Sequence, residues 1–82
     1  MGTRHGAHTI RRDIERNRFG SALASLRVAK GWTQEELGAH LGVNRNVIVR
    51  WETDRCDPSV RNLDRLARFF EVSMDDLWNG RY

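Results

Sequence analysis

Much is missing from this chain, and each absence removes a class of protein. A single cysteine, Cys56, stands among 82 residues, so no internal disulfide can form and a reducing cytoplasm is the expected setting. No apolar run approaches the roughly 18 residues of a membrane span, and no signal-peptide pattern opens the sequence. The one proline, Pro58, falls between periodic segments, and nothing alternates with the period of a strand. Internal repeats and low-complexity segments are absent. So are a glycine-rich phosphate loop, an H-E-x-x-H run, a Cys/His cluster and an acid pair that would form a cleft. Cys56 has no histidine placed near it to make it a nucleophile. His5 and His8 share an H-x-x-H spacing, but no further ligand accompanies them and they read as tail. No catalytic residue, cofactor, metal or small-molecule ligand is expected.

Length predicts one domain with a small helical core and no separate effector domain. The formal charge of +3 is unevenly placed. Arg4, Arg11, Arg12, Arg16 and Arg18 face only Asp13 and Glu15 in residues 1–20, and the remainder is balanced. Bulk charge therefore cannot supply affinity for a polyanion within the domain, and the placement of individual arginines must do so. Residues 1–16 form a basic N-terminal extension. Met1 to His8 lacks periodicity, whereas Thr9 to Arg16, with Ile10 and Ile14 one turn apart, reads as either a short helix or a solvated arm.

From residue 17 to 80 the pattern is helical throughout. Asn17 is placed to cap a first helix over 18–30, in which Phe19, Leu23 and Leu26 share a face and Gly31 ends the run. Thr33 and Glu36 form a T-x-x-E capping box for a second helix ending near Leu41, with Trp32 and Leu37 placed as a hydrophobic staple. Gly42 supplies the turn. Asn44 caps a third helix, with Val43 and Ile48 as its staple and Trp51 on the same inner face. Ser59 caps a fourth, with Leu63, Leu66, Ala67 and Phe70 at i, i+3, i+4, i+7. Ser73 and Asp76 form a second box opening a fifth helix, from Met74 to about Asn79. Two short helices joined across Gly42 describe a helix-turn-helix.

The run from Phe19 to Trp78 resembles the lambda-repressor/Cro-like helix-turn-helix family, the XRE family. The resemblance rests on Phe19-Gly20, Leu23, Leu26-Arg27, Gly31-Trp32-Thr33-Gln34-Glu35-Glu36-Leu37, Leu41-Gly42-Val43, Ile48, Trp51-Glu52, Pro58-Ser59, Leu63, Leu66-Ala67 and Val72 to Leu77. It implies an all-α, compact five-helix DNA-binding domain. Gly38 departs from it, since the family usually carries alanine there. Glycine keeps the helices close at a propensity cost of about 1 kcal/mol.

With Ile48 and Trp51 inside, Arg45, Asn46, Val49 and Arg50 point outward, and the resemblance sets base readers at Arg45, Asn46 and Arg50. Arginine suits guanine O6 and N7, asparagine suits adenine N6 and N7, and Val49 suits a thymine methyl. Gln34 matches a family phosphate contact at a helix N-terminus. Thr33 and Asn44 are caps first and backbone contacts second, and Arg55 and Arg61 flank the next loop as further phosphate candidates. The resemblance implies a structural salt bridge between Arg27 and Glu52. Met74, Leu77 and Trp78 exceed what one short helix needs and are candidate contacts of a homodimer. His40 reads as an exposed residue without special chemistry. The expectation is a transcriptional regulator, a repressor reading a palindromic operator in double-stranded DNA. The competing expectation is an antitoxin or phage accessory protein that works mainly through protein–protein contacts.

Overall fold

The computed structural model describes residues 18–82. The Asn17 cap, the basic extension of residues 1–16 and the His5/His8 pair lie outside the described residues. Helix α1 occupies 18–30. It is followed by α2 (Gln34–Leu41), α3 (Arg45–Glu52), α4 (Val60–Phe70) and α5 (Met74–Asn79). Among the described residues there is no strand.

Local chemistry sets most helix ends. Thr33 Oγ1 accepts the Glu36 N–H at 3.0 Å, and the Thr33 N–H donates to Glu36 Oε1 at 2.8 Å, which completes the expected box. Gly42, at φ 75°, ends α2 in the left-handed region. Its N–H reaches Ala39 O, and that of Val43 reaches Gly38 O, so two otherwise orphaned carbonyls are satisfied. Asn44 Oδ1 accepts the Asn46 N–H at 2.7 Å and starts α3. Ser59 Oγ does the same for α4 by accepting from Asn62 N. At α5 only half of the expected box forms. Ser73 Oγ accepts from Asp76 N, but the Asp76 carboxylate lies 3.9 Å from Arg81 Nε. Aspartate is a methylene shorter than the glutamate that makes the reciprocal bond at Thr33.

The apolar faces meet in one core. Phe19 and Leu23 of α1, Leu37 and Leu41 of α2, Ile48 and Trp51 of α3, Leu66 and Phe70 of α4, and Leu77 of α5 are all buried. Leu77 is fully excluded from solvent, which corrects its reading as a dimer contact. A helix of six residues has too few turns for spacing alone to tell its inner face from its outer one. Trp78 stays half-buried, its ring 5.4 Å from that of Phe19, so α5 closes back on the start of α1.

Contacts between distant segments complete the frame. Arg65 Nη1 donates to Leu41 O at 2.8 Å and so ties α4 to the end of α2. Phe69 stacks near His40 and Trp32, at 4.5 and 4.8 Å between ring centroids, with Lys30 Nζ over its face at 5.0 Å. His40 is exposed as expected, but its ring belongs to this cluster and is not an isolated surface group. The Glu52 carboxylate takes Arg27 Nε at 2.6 Å, Arg27 Nη2 at 3.2 Å and Gln34 Nε2 at 3.0 Å. Arg27 Nη1 also donates to Trp32 O at 2.8 Å. The Arg27 and Glu52 side chains retain 14% and 6% exposure, so this is a nearly dry pair.

Two stability predictions follow from these contacts. Arg27→Met strands the Glu52 carboxylate with one amide donor and is expected to cost about 3 kcal/mol. In thermal unfolding that is a fall of roughly 15 °C, and an unchanged midpoint would refute the account. A Cβ at Gly38 would sit 2.8 Å from Val43 O, a backbone atom. Gly38→Ala is therefore expected to lower the melting temperature, even though propensity alone gives alanine about 1 kcal/mol. A rise in melting temperature would show that the turn yields freely.

Candidate nucleic-acid interface

Helix α3 divides its residues between two environments. Ile48 and Trp51 enter the core, while Arg45, Asn46 and Arg50 stand exposed and Val49 is half-buried between them. Positions 45 and 49, and 46 and 50, are one turn apart, so the four form a continuous outward face. The Asn44 cap at the head of this face uses its side-chain oxygen on Asn46 N–H, which leaves the amide NH2 of Asn44 to the outside. The face carries donors but no acid. The one acid of α3, Glu52, is turned inward to Arg27 and Gln34.

Beside this face opens the N-terminus of α2. Its capping box consumes the N–H groups of Thr33 and Glu36. That leaves those of Gln34 and Glu35 as the outward backbone donors of the first turn, where the helix dipole is positive. Thr33, Gln34 and Arg45 line one shallow cleft together with Glu35 and Arg27. The geometry fits an anion held between the start of α2 and the start of α3. Gln34 is not a free side chain, because its amide is tethered to Glu52 and only the rest of its hydrogen-bonding capacity can turn outward.

Arg55 follows directly after α3. Its N–H donates to Arg50 O at 2.8 Å, so the two arginines are joined through one turn of backbone and both are exposed. Arg61 is exposed in the first turn of α4, and among the described residues no bond joins it to this group. The structure thus brings together Thr33, Gln34, Asn44 and Arg45 at one end of α3, and Arg50 and Arg55 at the other. Met74 and Trp78 lie on α5 and take no part in this face. Sequence reasoning missed Asp54, which stands at φ 59° immediately after α3. Its sole local signal was an aspartate two residues past a helix end, where glycine is usual. Among the described residues no group of three or more histidine, cysteine or acidic side chains is arranged to hold a metal ion. No described helix is long and apolar enough to cross a membrane.

Comparison with known proteins points the same way. A family model described as helix-turn-helix matches residues 23–77. The HTH-type transcriptional activator BcrR of Enterococcus faecalis is 37% identical over 62 residues, which is 76% of this chain and 30% of that protein. The prophage-derived uncharacterized HTH-type transcriptional regulator YonR of Bacillus subtilis is 30% identical over 64 residues, 78% of this chain and 59% of the relative. The phage transcriptional repressor RstR of Vibrio cholerae is 30% identical over 59 residues, 72% of this chain and 53% of its own length. This chain therefore spans from under a third to about three fifths of these relatives. No solved structure matches. The two helices joined at Gly42, the outward arginines of α3 and the family match together identify the chain as a member of the XRE-type helix-turn-helix family.

Proposed function

We propose that this domain binds double-stranded DNA as a homodimer, reads a palindromic operator with α3, and acts as a repressor. The observation that carries the reading is the outward face of α3, with Arg45, Asn46 and Arg50 exposed and Glu52 withdrawn behind them. With α3 in the major groove, its N-terminal half meets base edges. Arg45, Asn46 and Arg50 make bidentate contacts there, and Val49 meets a thymine methyl. The donors of Gln34 and Glu35, the Thr33 hydroxyl and the Asn44 amide take phosphate oxygens on one side. Arg55 and Arg61 take them on the other.

A dimer would use the partly exposed Met74 and Trp78 of α5 and not Leu77. Repression is the simpler outcome, because covering a promoter requires no surface beyond the one that binds DNA. The relatives include both an activator and a repressor, so sign is a property of each regulator and not of the fold. The reducing cytoplasm is the compartment this reading requires.

Selection of bound duplexes from randomised DNA is expected to enrich an inverted repeat whose half-site centres lie about one helical turn, 34 Å, apart. A single unrepeated half-site would keep DNA binding and discard the dimer. An absence of enrichment at low salt would favour the protein-interaction alternative instead. On the selected site, Arg50→Ala is expected to weaken binding by about 1–3 kcal/mol and to relax preference at one base pair. Arg61→Ala would instead weaken all sequences alike and reduce the salt slope by about one. Fluorescence anisotropy titrations at several salt concentrations measure both effects.

A further inference from the structure

The backbone that ends α3 makes two nested bonds, Asp54 N–H to Trp51 O and Arg55 N–H to Arg50 O. This pattern normally places glycine at the left-handed position, because a side chain there carries a conformational cost. Asp54 occupies it at φ 59°. Its carboxylate approaches α1. A Cβ built on Gly20 of α1 would lie 2.8 and 2.9 Å from the two carboxylate oxygens, and 2.7 Å from Glu52 O. Gly20 is buried, so the carboxylate and the last carbonyl of α3 are seated on bare α1 backbone.

Gly20, Leu23 and Arg27 share one face of α1, at i, i+3 and i+7. Arg27 holds the Glu52 side chain, and Gly20 receives Asp54. Helix α1 therefore grips the end of α3 at two points separated by about two turns. The turn held at Gly20 also fixes where Arg55 emerges, since both Arg55 and Cys56 donate to Arg50 O.

From this geometry we infer that Asp54 is a positioning residue for DNA recognition. Seated on Gly20, it sets the orientation of the α3 C-terminus and the relative placement of Arg50 and Arg55. The inference rests on the DNA-reading function proposed above. It extends that reading to a residue that need not touch DNA.

The test compares Asp54→Gly and Asp54→Asn with the wild-type chain. Melting temperature is measured together with affinity for the selected operator and for a scrambled duplex at one salt concentration. Removing a negative charge near DNA strengthens both affinities, so their ratio is the informative quantity. Asp54→Gly relieves the left-handed cost and is expected to melt at or above the wild-type temperature. Its ratio of specific to non-specific affinity should fall about fivefold or more. Asp54→Asn tolerates the same backbone and keeps an acceptor oxygen, so its ratio should lie between the other two. An unchanged ratio in Asp54→Gly overturns the inference. So does a joint fall of melting temperature and both affinities, which would assign Asp54 a purely structural role. A wild-type chain without sequence preference would overturn the DNA-reading function itself, which is a separate result.

Discussion

The carboxylate of Glu52 is the point through which three helices are held. It closes α3, receives two nitrogens of Arg27 from α1 and takes the amide of Gln34 from α2. Arg27 in turn holds Trp32 O, so the linker between α1 and α2 is tied to the same charge. A nearly dry ion pair contributes little net stability over an apolar alternative. Its value here is geometric. Three elements of different direction must converge on one carboxylate, and a small apolar core would tolerate sliding that this network does not.

The same arrangement sorts charge by side. Residues 21–82 carry as many acids as bases, so the charge of the outward face of α3 depends on which charges are cancelled. Glu52 is spent on Arg27, Asp64 on Arg68, and Asp75 and Asp76 on Arg81. Asp54 lies against α1. Among the described residues, Arg45, Arg50, Arg55 and Arg61 enter no ion pair. Around α3 a domain with no net charge thereby presents a locally cationic surface, because Glu52 and Asp54 are turned toward α1 while Arg45, Arg50 and Arg55 stand exposed.

Local features were legible in the sequence, and contacts between distant segments were not. The Thr33–Glu36 box, the Gly42 turn, the Asn44 and Ser59 caps and the inner face of Ile48 and Trp51 follow from spacing within one or two turns. The pairing of Arg27 with Glu52 spans 25 positions and came into view only through family resemblance. Nothing local announces that Arg65 reaches Leu41 O, that Phe69 gathers His40 and Trp32, or that Asp54 rests on Gly20. These depend on how helices cross, which periodicity does not encode. Leu77 illustrates the limit from the other side: its apolar character was plain, but only packing told that it faces the core.

Two missing side chains matter as much as those present. At Gly38 the absence of a Cβ admits the Val43 carbonyl, and so brings the start of α3 onto α2. At Gly20 it admits the Glu52 carbonyl and the Asp54 carboxylate, and so brings the end of α3 onto α1. Between these two close approaches Ile48 and Trp51 fix the middle of the helix in the core. Helix α3 is thus constrained at its start, centre and end by separate elements. Base recognition needs donors held to within about half an ångström, and eight residues cannot hold themselves so. The surrounding helices supply that order in the free chain, so under the DNA-reading function proposed above little conformational entropy remains to be lost on binding.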